Sequence, residues 1–340
     1  MAQQFANQQA SGFSNHIKNV AIVGAGGQSG KYMVAELLKK GTFNITAITR
    51  ADSTNKPAEG VNVAVVDYDN PSTIVTALKG QDAFIITMPA RAAPDTQKVL
   101  LKAAADAGVP WVLPNEFGND GTDLSVRRDI PTGIPKEEAR NLIQSFGVSK
   151  WIGIVTGFWY EYSVAAPGLL GVKVRQKEML FYDEGTVRLS VSTFPQVGRA
   201  VAALLSLPIL PENEGDERTT LSGYANRFVF VSSFAVSQKD IFASLKRVTG
   251  TTDADYRISS MPATEQYAIQ KEKLRSGDPI AYGHMMYSRY FYGDEPGFFE
   301  GTSGLDNERL GLEKEDLDEW TRVGVQWSEE MYVEKLYNLA

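Results

Sequence analysis

The sequence predicts a mixed α/β fold, a doubly wound parallel sheet with a smaller C-terminal lobe. First, a glycine-dense turn follows an apolar run at 19–23 and leads straight into a helix-period pattern. Second, continuous apolar runs alternate with helical patterns as far as residue 155, as in a parallel sheet that helices cover on both faces. Third, longer irregular stretches in the second half suit a lobe of insertions over the sheet's ligand crevice.

Each predicted element has a local signal. Strands are apolar runs rich in β-branched residues, and several helices begin at proline or end at glycine. The predicted strands are 19–23, 45–49, 61–66, 83–87, 111–114, 151–155, 187–191 and 227–231. The predicted helices are 30–38, 71–78, 94–107, 135–146, 195–207 and 237–249. Residues 119–133 are predicted to form an irregular loop near the carboxyl ends of the strands.

The glycine turn has the spacing and context of a dinucleotide site. Gly24 allows the tight turn, Gly27 lets the backbone approach a pyrophosphate, and Gly30 lets the helix pack closely on the strand. Gln28 and Ser29 open the helix, whose first N–H groups face the bound anion. The turn therefore predicts a Rossmann-type fold that binds a dinucleotide.

This reading divides the chain into three parts. Residues 1–16 are rich in Gln, Asn and Ser and are predicted to be a disordered N-terminal arm. Residues 17–156 are predicted to be the dinucleotide-binding domain. Residues 157–340 are predicted to be a substrate-binding lobe, some of whose elements return to the main sheet.

The residue after the second strand predicts which dinucleotide binds. Arg50 lies about twenty residues past Gly30, where this fold places the side chain that contacts the adenosine ribose. An arginine there pairs with the 2′-phosphate of NADP, whereas an acid would favour NAD. NADP(H) is therefore predicted, with Asp52 as the residue that would favour NAD if the strand ended later.

Polar residues gather after the other strands and predict one continuous crevice. Asp67 either contacts the adenine or forms a turn. Thr87 and Pro89 lie in a loop that either runs under the central part of the cofactor or is a plain turn. Asn115 follows the fifth strand and is also predicted to contact the cofactor.

Composition excludes several classes of protein. The net charge of -7 and the absence of a basic tract argue against nucleic-acid binding. The chain has no cysteine and two histidines, which excludes thiolate catalysis and argues against metal centres and a histidine triad. It also lacks a long apolar run and the apolar core of a signal peptide, so no membrane partner and a cytoplasmic protein are expected.

Lys136 breaks a local rule. If Pro135 is the first helical residue, Lys136 falls in the first turn, where the helix dipole disfavours a cation. Local rules are most often broken at functional sites, and a destabilised ammonium exchanges its proton more readily. The alternative is a solvated surface lysine that Glu137 and Glu138 balance.

Five motifs follow one another in a recognisable order. They are Gly24-x-x-Gly27-x-x-Gly30, Arg50, Pro114-Asn115-Glu116-Phe117-Gly118, Lys136-x-x-x-Arg140-x-x-Ile143 and Gly157-Phe158-Trp159-Tyr160-Glu161. In this order, over about residues 18–250, the chain resembles the NmrA-like/isoflavone-reductase-like family of atypical short-chain dehydrogenases. The resemblance implies NADP binding and a lysine, matched here by Lys136, in place of the usual tyrosine–lysine pair.

The same resemblance implies the substrate site. Asn115, Glu116 and Phe117 match the segment beside the nicotinamide. Gly157, Phe158 and Trp159 match the pocket wall, where the family has an asparagine-cysteine-phenylalanine run, which implies a differently shaped substrate. The assigned substrate contacts are Glu116, Phe117, Phe158, Trp159 and Tyr162.

Two functions remain in competition. The first is an NADPH-dependent reductase that transfers hydride to a conjugated or aromatic ketone, enone or imine, with Lys136 protonating or polarising the atom that gains charge. The second is a non-catalytic NADP(H)-sensing regulatory protein, which needs no proton donor, so Lys136 favours the enzyme. The pair Tyr267 and Lys271 has short-chain dehydrogenase spacing, but it follows the completed sheet and is interpreted as a chance match.

Two features leave alternatives open. The aromatic and methionine-rich run at 282–292 either roofs a flat substrate, or is core, or is a subunit contact in a homo-oligomer. His284 is interpreted as a half-buried hydrogen-bonding side chain.

Overall fold

The protein is described from a computed structural model that covers residues 3–89, 92–93, 95–130 and 133–337. The strands are β1 Asn19–Val23, β2 Asn44–Arg50, β3 Asn62–Val66, β4 Ala83–Ile86, β5 Trp111–Leu113, β6 Lys150–Val155, β7 Phe158–Trp159, β8 Val172–Lys173, β9 Glu178–Tyr182, β10 Arg188–Ser192, β11 Arg227–Phe230, β12 Phe234–Ser237 and β13 Arg257–Met261. The α-helices are α1 Gly30–Lys40, α2 Pro71–Leu78, α3 Thr96–Ala107, α4 Leu124–Asp129, α5 Gly133–Phe146, α6 Tyr160–Ala165, α7 Phe194–Leu205, α8 Gln238–Thr249, α9 Ala263–Arg275, α10 Ala281–Tyr290, α11 Phe299–Thr302, α12 Leu317–Glu329 and α13 Tyr332–Leu336.

The main sheet confirms the predicted fold class. Within the described residues it has seven strands in the order β11-β6-β5-β4-β1-β2-β3, all paired in parallel. The chain runs outward from β1 in one direction and then resumes at β4 on its other side. The strand order therefore reverses between β1 and β4, and this switch point is where open α/β sheets bind ligands.

Helices cover both faces of the central part of this sheet, where β1, β4, β5 and β6 are apolar and almost wholly buried. On one face α1 and α7 pack together, and Gly198 allows their close approach, since a Cβ there would lie 2.6 Å from the Tyr32 carbonyl oxygen. The other face carries side chains from α2, α3 and α5, such as Ile74, Leu100 and Ile143.

The C-terminal half builds two smaller sheets, in the orders β12-β10-β7 and β13-β9-β8. Strand β11 leaves this region and pairs with β6 at the edge of the main sheet. A second core lies between the small sheets and the last helices, and its members include Phe158, Tyr160 and Tyr287. The aromatic run at 282–292 contributes mainly to this core, because Tyr287 is buried and stacks on Phe158 with ring centroids 3.8 Å apart.

Two sequence predictions about irregular segments are wrong. The predicted disordered arm is ordered from residue 3 onward: Ala6 N donates to the Pro211 carbonyl over 2.9 Å, and the Asn15 side chain bonds the backbone of Leu210. The predicted loop at 119–133 contains the helix α4, which the Asp123 side chain caps by accepting from Ser125 N. The composition of the arm indicated disorder, but contacts with residues about 200 positions away order it. The composition of the loop indicated turns, but the Asp123 cap stabilises a short helix there.

Glu161 is a fully buried carboxylate on α6. Its Oε1 accepts from Phe194 N over 2.9 Å at the start of α7, whereas Oε2 has no partner within the described residues. Burial raises the pKa of Glu161 to about 8 from an ordinary value of 4.5. Between these two pH values the Glu161 carboxyl is therefore protonated in the folded protein and ionised in the unfolded chain.

A pH-dependent stability follows from Glu161. Since the folded pKa lies above the unfolded one, the free energy of unfolding falls as pH rises from about 4.5 towards about 8. Glu161→Gln cannot ionise, so its melting temperature relative to the parent should rise by roughly a few degrees between about pH 5 and about pH 8.5. Thermal unfolding followed by circular dichroism measures this, with Glu138→Gln on the exposed side of α5 as the control. Parallel pH curves for parent and variant would contradict the assignment.

Candidate functional site

The glycine turn between β1 and α1 has no room for side chains at two of its three predicted positions. Gly24 has φ +81°, and a Cβ there would lie 2.0 Å from the Thr87 carbonyl oxygen. A Cβ on Gly30 would lie 2.1 Å from the Gly24 carbonyl oxygen. A Cβ on Gly27 would lie 3.0 Å from the Gly24 carbonyl oxygen, which is a tight contact that a small shift relieves. Of the three predicted glycines, Gly27 is therefore the one at which the protein itself leaves the most room for a Cβ.

The start of α1 fits an anionic group. Gln28 Nε2 is a buried donor with no acceptor within the described residues. Buried donors are nearly always paired, so this one indicates an acceptor that the chain does not supply. Ser29 Oγ lies 2.9 Å from Thr87 Oγ1, which ties the helix start to the end of β4 at the switch point. Phosphate oxygens at a helix N-terminus would satisfy such donors.

Arg50 is the last residue of β2, at the position predicted for a ribose contact. Its side chain is 58% exposed, and Nε lies 3.3 Å from a carboxylate oxygen of Asp52. Tyr68 is also near: burial raises the pKa of its hydroxyl, and the Arg50 cation opposes that rise. The structure thus brings the two competing residues together, with Arg50 at the strand end and Asp52 beyond it.

Asp67 serves as a turn residue. Its Oδ1 accepts from Asp69 N over 2.9 Å, and its backbone N donates to Thr73 Oγ1 over 3.0 Å. These bonds join the end of β3 to the start of α2. The turn alternative is therefore what the structure shows, and a contact to the cofactor stays a prediction.

Asn115 fastens the loop that follows β4. Its Oδ1 accepts from Met88 N, and its Nδ2 donates to the Met88 carbonyl oxygen, each over 3.2 Å. Asn115 N in turn donates to Gln97 Oε1 on α3 over 2.9 Å. Thr87 is buried and Pro89 is exposed on either side of Met88. The four predicted residues Thr87, Pro89, Asn115 and Ser29 do gather at the ends of β1, β4 and β5.

Lys136 reaches back from α5 to the end of β5. Helix α5 begins at Gly133, so Pro135 is not its first residue and Lys136 closes the first turn. Lys136 Nζ lies 3.7 Å from Glu116 Oε2 and about as close to Gly118, where an added Cβ would be 3.6 Å from Nζ. The side chain is 22% exposed and lies beside the carboxyl end of the sheet. Its partner is therefore Glu116, and not the Glu137 and Glu138 of the surface-lysine alternative.

Glu116 is a correction to the predicted substrate contacts. Its side chain is 2% exposed, and Arg140 donates to its Oε1 while Lys136 pairs with Oε2. The Arg140 guanidinium also lies over the Trp151 and Phe228 rings, at 5.6 and 5.0 Å from their centroids. The reason is spatial: α5 places residues four apart on the face that covers the end of β5. The sequence predicted no role for Arg140, although the spacing of four residues from Lys136 places both side chains on one face of a helix.

The predicted aromatic wall separates into core and surface. Phe158 is buried and packs on Tyr287, and its contact with a substrate stays a prediction. Trp159 is half-buried, and one face stacks on Phe194 with centroids 4.3 Å apart and planes at 15°. Tyr162 is half-buried and its hydroxyl lies 3.4 Å from that of Tyr337.

Phe117, a predicted substrate contact, and the Tyr267–Lys271 pair both have partners within the protein. Phe117 is half-buried and packs against the core that α1 and α7 share with the sheet. Tyr267 donates to the Asp129 carbonyl oxygen over 2.9 Å, and Lys271 lies over the Tyr267 ring. This tyrosine holds α9 to α4, in agreement with a chance match to the dehydrogenase spacing.

The described ranges contain no cluster of three or more acidic or histidine side chains that could hold a metal ion. No helix within those same ranges has the length and apolar character needed to cross a membrane. His284 is half-buried, and burial lowers its pKa while the Gly168 backbone opposes that change.

Comparison with known proteins gives a consistent result. The model of the NmrA-like family matches residues 16–197. Oxidoreductase aprR of Aspergillus flavus is 31% identical over 311 residues, which cover 88% of this chain and 96% of that protein. The structure of AtPrR2 with NADP+ and (+)pinoresinol has a TM-score of 0.71 at 17% identity and covers 92% of this chain and 100% of its own. An isoflavone reductase structure has a TM-score of 0.69 at 19% identity and covers 90% of this chain and 98% of its own.

Proposed function

The chain belongs to the NmrA-like family, and we propose that it is an NADPH-dependent reductase of aromatic or otherwise conjugated small molecules with Lys136 as proton donor. One observation carries the proposal: the Lys136 ammonium lies at the carboxyl end of β5, half-buried and paired with the buried carboxylate of Glu116. Curated relatives of similar length are oxidoreductases by name, and AtPrR2 has been solved with NADP+ and (+)pinoresinol.

The residues of the glycine turn support the cofactor. Gln28 Nε2, the bare surface at Gly27 and the start of α1 together suit a pyrophosphate. Arg50 at the end of β2 suits the 2′-phosphate of NADP(H). Bound NADPH supplies the hydride.

Lys136 supplies the proton in this scheme. As an electron-poor carbon of the substrate gains hydride, the π electrons of its double bond move to the oxygen, nitrogen or conjugated carbon at the other end. Lys136 Nζ would give a proton to that atom and would regain one from the solvent, so substrate, NADPH and one proton give the reduced substrate and NADP+. Glu116 holds the Lys136 ammonium at the end of β5. Because the Glu116 side chain is buried, Glu116 itself does not contact the substrate in this scheme.

Trp159 supports a planar substrate. One of its faces is covered by Phe194, and the ring is only half-buried. A planar conjugated molecule stacks on such a ring more favourably than a saturated one of equal size. We therefore place Trp159, rather than Phe158, beside the substrate.

The substrate class is tested by NADPH oxidation over matched pairs of compounds. Aromatic ketones, enones and imines should be reduced, whereas their saturated aliphatic counterparts should be poor substrates. Trp159→Leu should raise KM for the aromatic members more than for small enones. NADPH binding without oxidation by any member of the panel would overturn the enzymatic proposal and favour a regulatory protein.

Arg50 should set cofactor preference. A charge-assisted hydrogen bond contributes about 1.5–3 kcal/mol, and the half-exposed position of Arg50 suggests the lower end, so NADPH should bind about tenfold tighter than NADH. Arg50→Ala should remove this preference, while Asp52→Asn should preserve it. Calorimetric titration of each protein with both cofactors measures the ratio. Equal affinities in the parent protein would contradict the assignment.

A further inference from the structure

Glu116 lies at the centre of a graded cluster of charges. Lys136 and Arg140 are four residues apart on α5, and both side chains turn towards the one carboxylate. The exposed fraction rises from 2% for Glu116 through 7% for Arg140 to 22% for Lys136. The lysine end of the cluster is therefore the part most accessible to solvent.

The buried end of the cluster is fixed by its surroundings. The Arg140 guanidinium lies over the Trp151 and Phe228 rings on β6 and β11. Gly153 on β6 makes room for this packing, since a Cβ there would lie 2.7 Å from the Phe228 ring and 3.5 Å from Glu116 Cγ. The carboxylate thus has little freedom to move, because two strands and one helix enclose it.

The two oxygens of this carboxylate are used differently. Arg140 donates a hydrogen bond to Oε1, whereas Lys136 Nζ stands 3.7 Å from Oε2, which is an ion-pair distance longer than a hydrogen bond. One negative charge is shared by two positive ones, so the cluster carries net positive charge, and its accessible part is the ammonium.

We propose that Glu116 and Arg140 are positioning residues for Lys136: Glu116 stabilises its ammonium form at the crevice, and Arg140 weakens that hold by occupying the other carboxylate oxygen. What Lys136 then does in the reaction rests on the proposed function. The placement of the ammonium does not, because it follows from contacts within the protein.

The other charges near this turn have partners of their own. Glu137 on α5 pairs with Arg127 of α4, and Glu138 lies 3.8 Å from Lys98 of α3. Glu138 is 56% exposed and is two residues from Lys136. Glu138→Gln is therefore a matched control, since it makes the same chemical change on the same helix without touching the cluster.

The test measures Lys136 in the cofactor-free protein. A limiting amount of acetic anhydride is added at a series of pH values, and acetylation of Lys136 is measured by peptide mass spectrometry. Removing an opposite charge at this distance should lower the midpoint of Lys136 reactivity by about one pH unit or more in Glu116→Gln. Glu138→Gln should leave the midpoint where it is in the parent.

Arg140→Gln gives an opposite and independent result. It removes a neighbouring positive charge and leaves Glu116 to Lys136 alone, so the midpoint should rise. This variant also keeps the proposal testable if Glu116→Gln leaves Arg140 buried without a partner and does not fold. Midpoints in folded Glu116→Gln or Arg140→Gln that match the Glu138→Gln control would overturn the proposal.

Turnover separates this proposal from the assignment of the proton donor. If both hold, the basic limb of the kcat profile against pH in Glu116→Gln moves with the acetylation midpoint, and KM for NADPH is unchanged. A shifted midpoint with an unshifted kcat profile supports the positioning role and overturns Lys136 as the donor. The two failures are therefore distinguishable.

Discussion

Lys136→Ala is expected to lower kcat by roughly two to four orders of magnitude while NADPH affinity stays within a few-fold of the parent value. The loss follows from removing the proton donor, since the Lys136 ammonium is the accessible cation beside the end of β5. The affinity is kept because the proposed phosphate contacts lie on the glycine turn and at Arg50. Steady-state NADPH oxidation with the best aromatic substrate, together with calorimetric titration, measures both quantities.

Two further variants sharpen this result. Lys136→Arg should not restore activity, because a guanidinium stays protonated and cannot complete the proton cycle. Lys102→Ala is the matched control, since Lys102 is an exposed lysine whose partner is Asp106 on the same helix. Full turnover in Lys136→Ala would leave Lys136 as a structural partner of Glu116.

Gly27→Val is expected to weaken NADPH binding by about two orders of magnitude or more without unfolding the protein. A Cβ at this position would be 3.0 Å from the Gly24 carbonyl oxygen, so the turn needs only a small adjustment. The isopropyl group would cover backbone that a pyrophosphate contact needs bare. Calorimetry of the variant measures the affinity, and far-ultraviolet circular dichroism checks its fold.

The structure also provides the contrasting variants. Gly24→Val and Gly30→Val should disturb the fold itself, because their Cβ atoms would meet backbone at 2.0 and 2.1 Å. Gly293→Val introduces the same side chain where nothing lies within 4 Å, and it should bind NADPH normally. Parent-like NADPH affinity in folded Gly27→Val would place the phosphate site elsewhere.

The aromatic residues illustrate where a sequence pattern is ambiguous. Phe158 and Trp159 are adjacent in a strand, so their side chains point to opposite faces. One therefore enters the second core against Tyr287, and the other stacks on Phe194 near the surface. A run of aromatic residues predicts that a hydrophobic surface or a ligand is covered. The register of the strand decides which of the side chains covers it.

The cluster around Lys136 illustrates the same limit for charges. The helix-period pattern predicted α5 and put Lys136 in its first turn, but the partners it offered, Glu137 and Glu138, pair with Arg127 and Lys98 instead. Glu116 follows a different strand, and the pairing arises only when β5 and α5 meet at the end of the sheet. Burial then makes Glu116 a partner of Lys136 and Arg140 instead of a substrate contact.

The sequence by itself determined the parallel sheet, the glycine turn, the place of Arg50 and the helix that carries Lys136. These features depend on periodicity and on backbone rules that act within a few residues, so local sequence is sufficient for them. Tertiary structure alone decided the ordered arm at residues 3–16 and the partners of Glu116. Ordering and pairing of this kind depend on which distant groups share a buried volume, where an unpaired charge or donor is costly, and no local pattern records that.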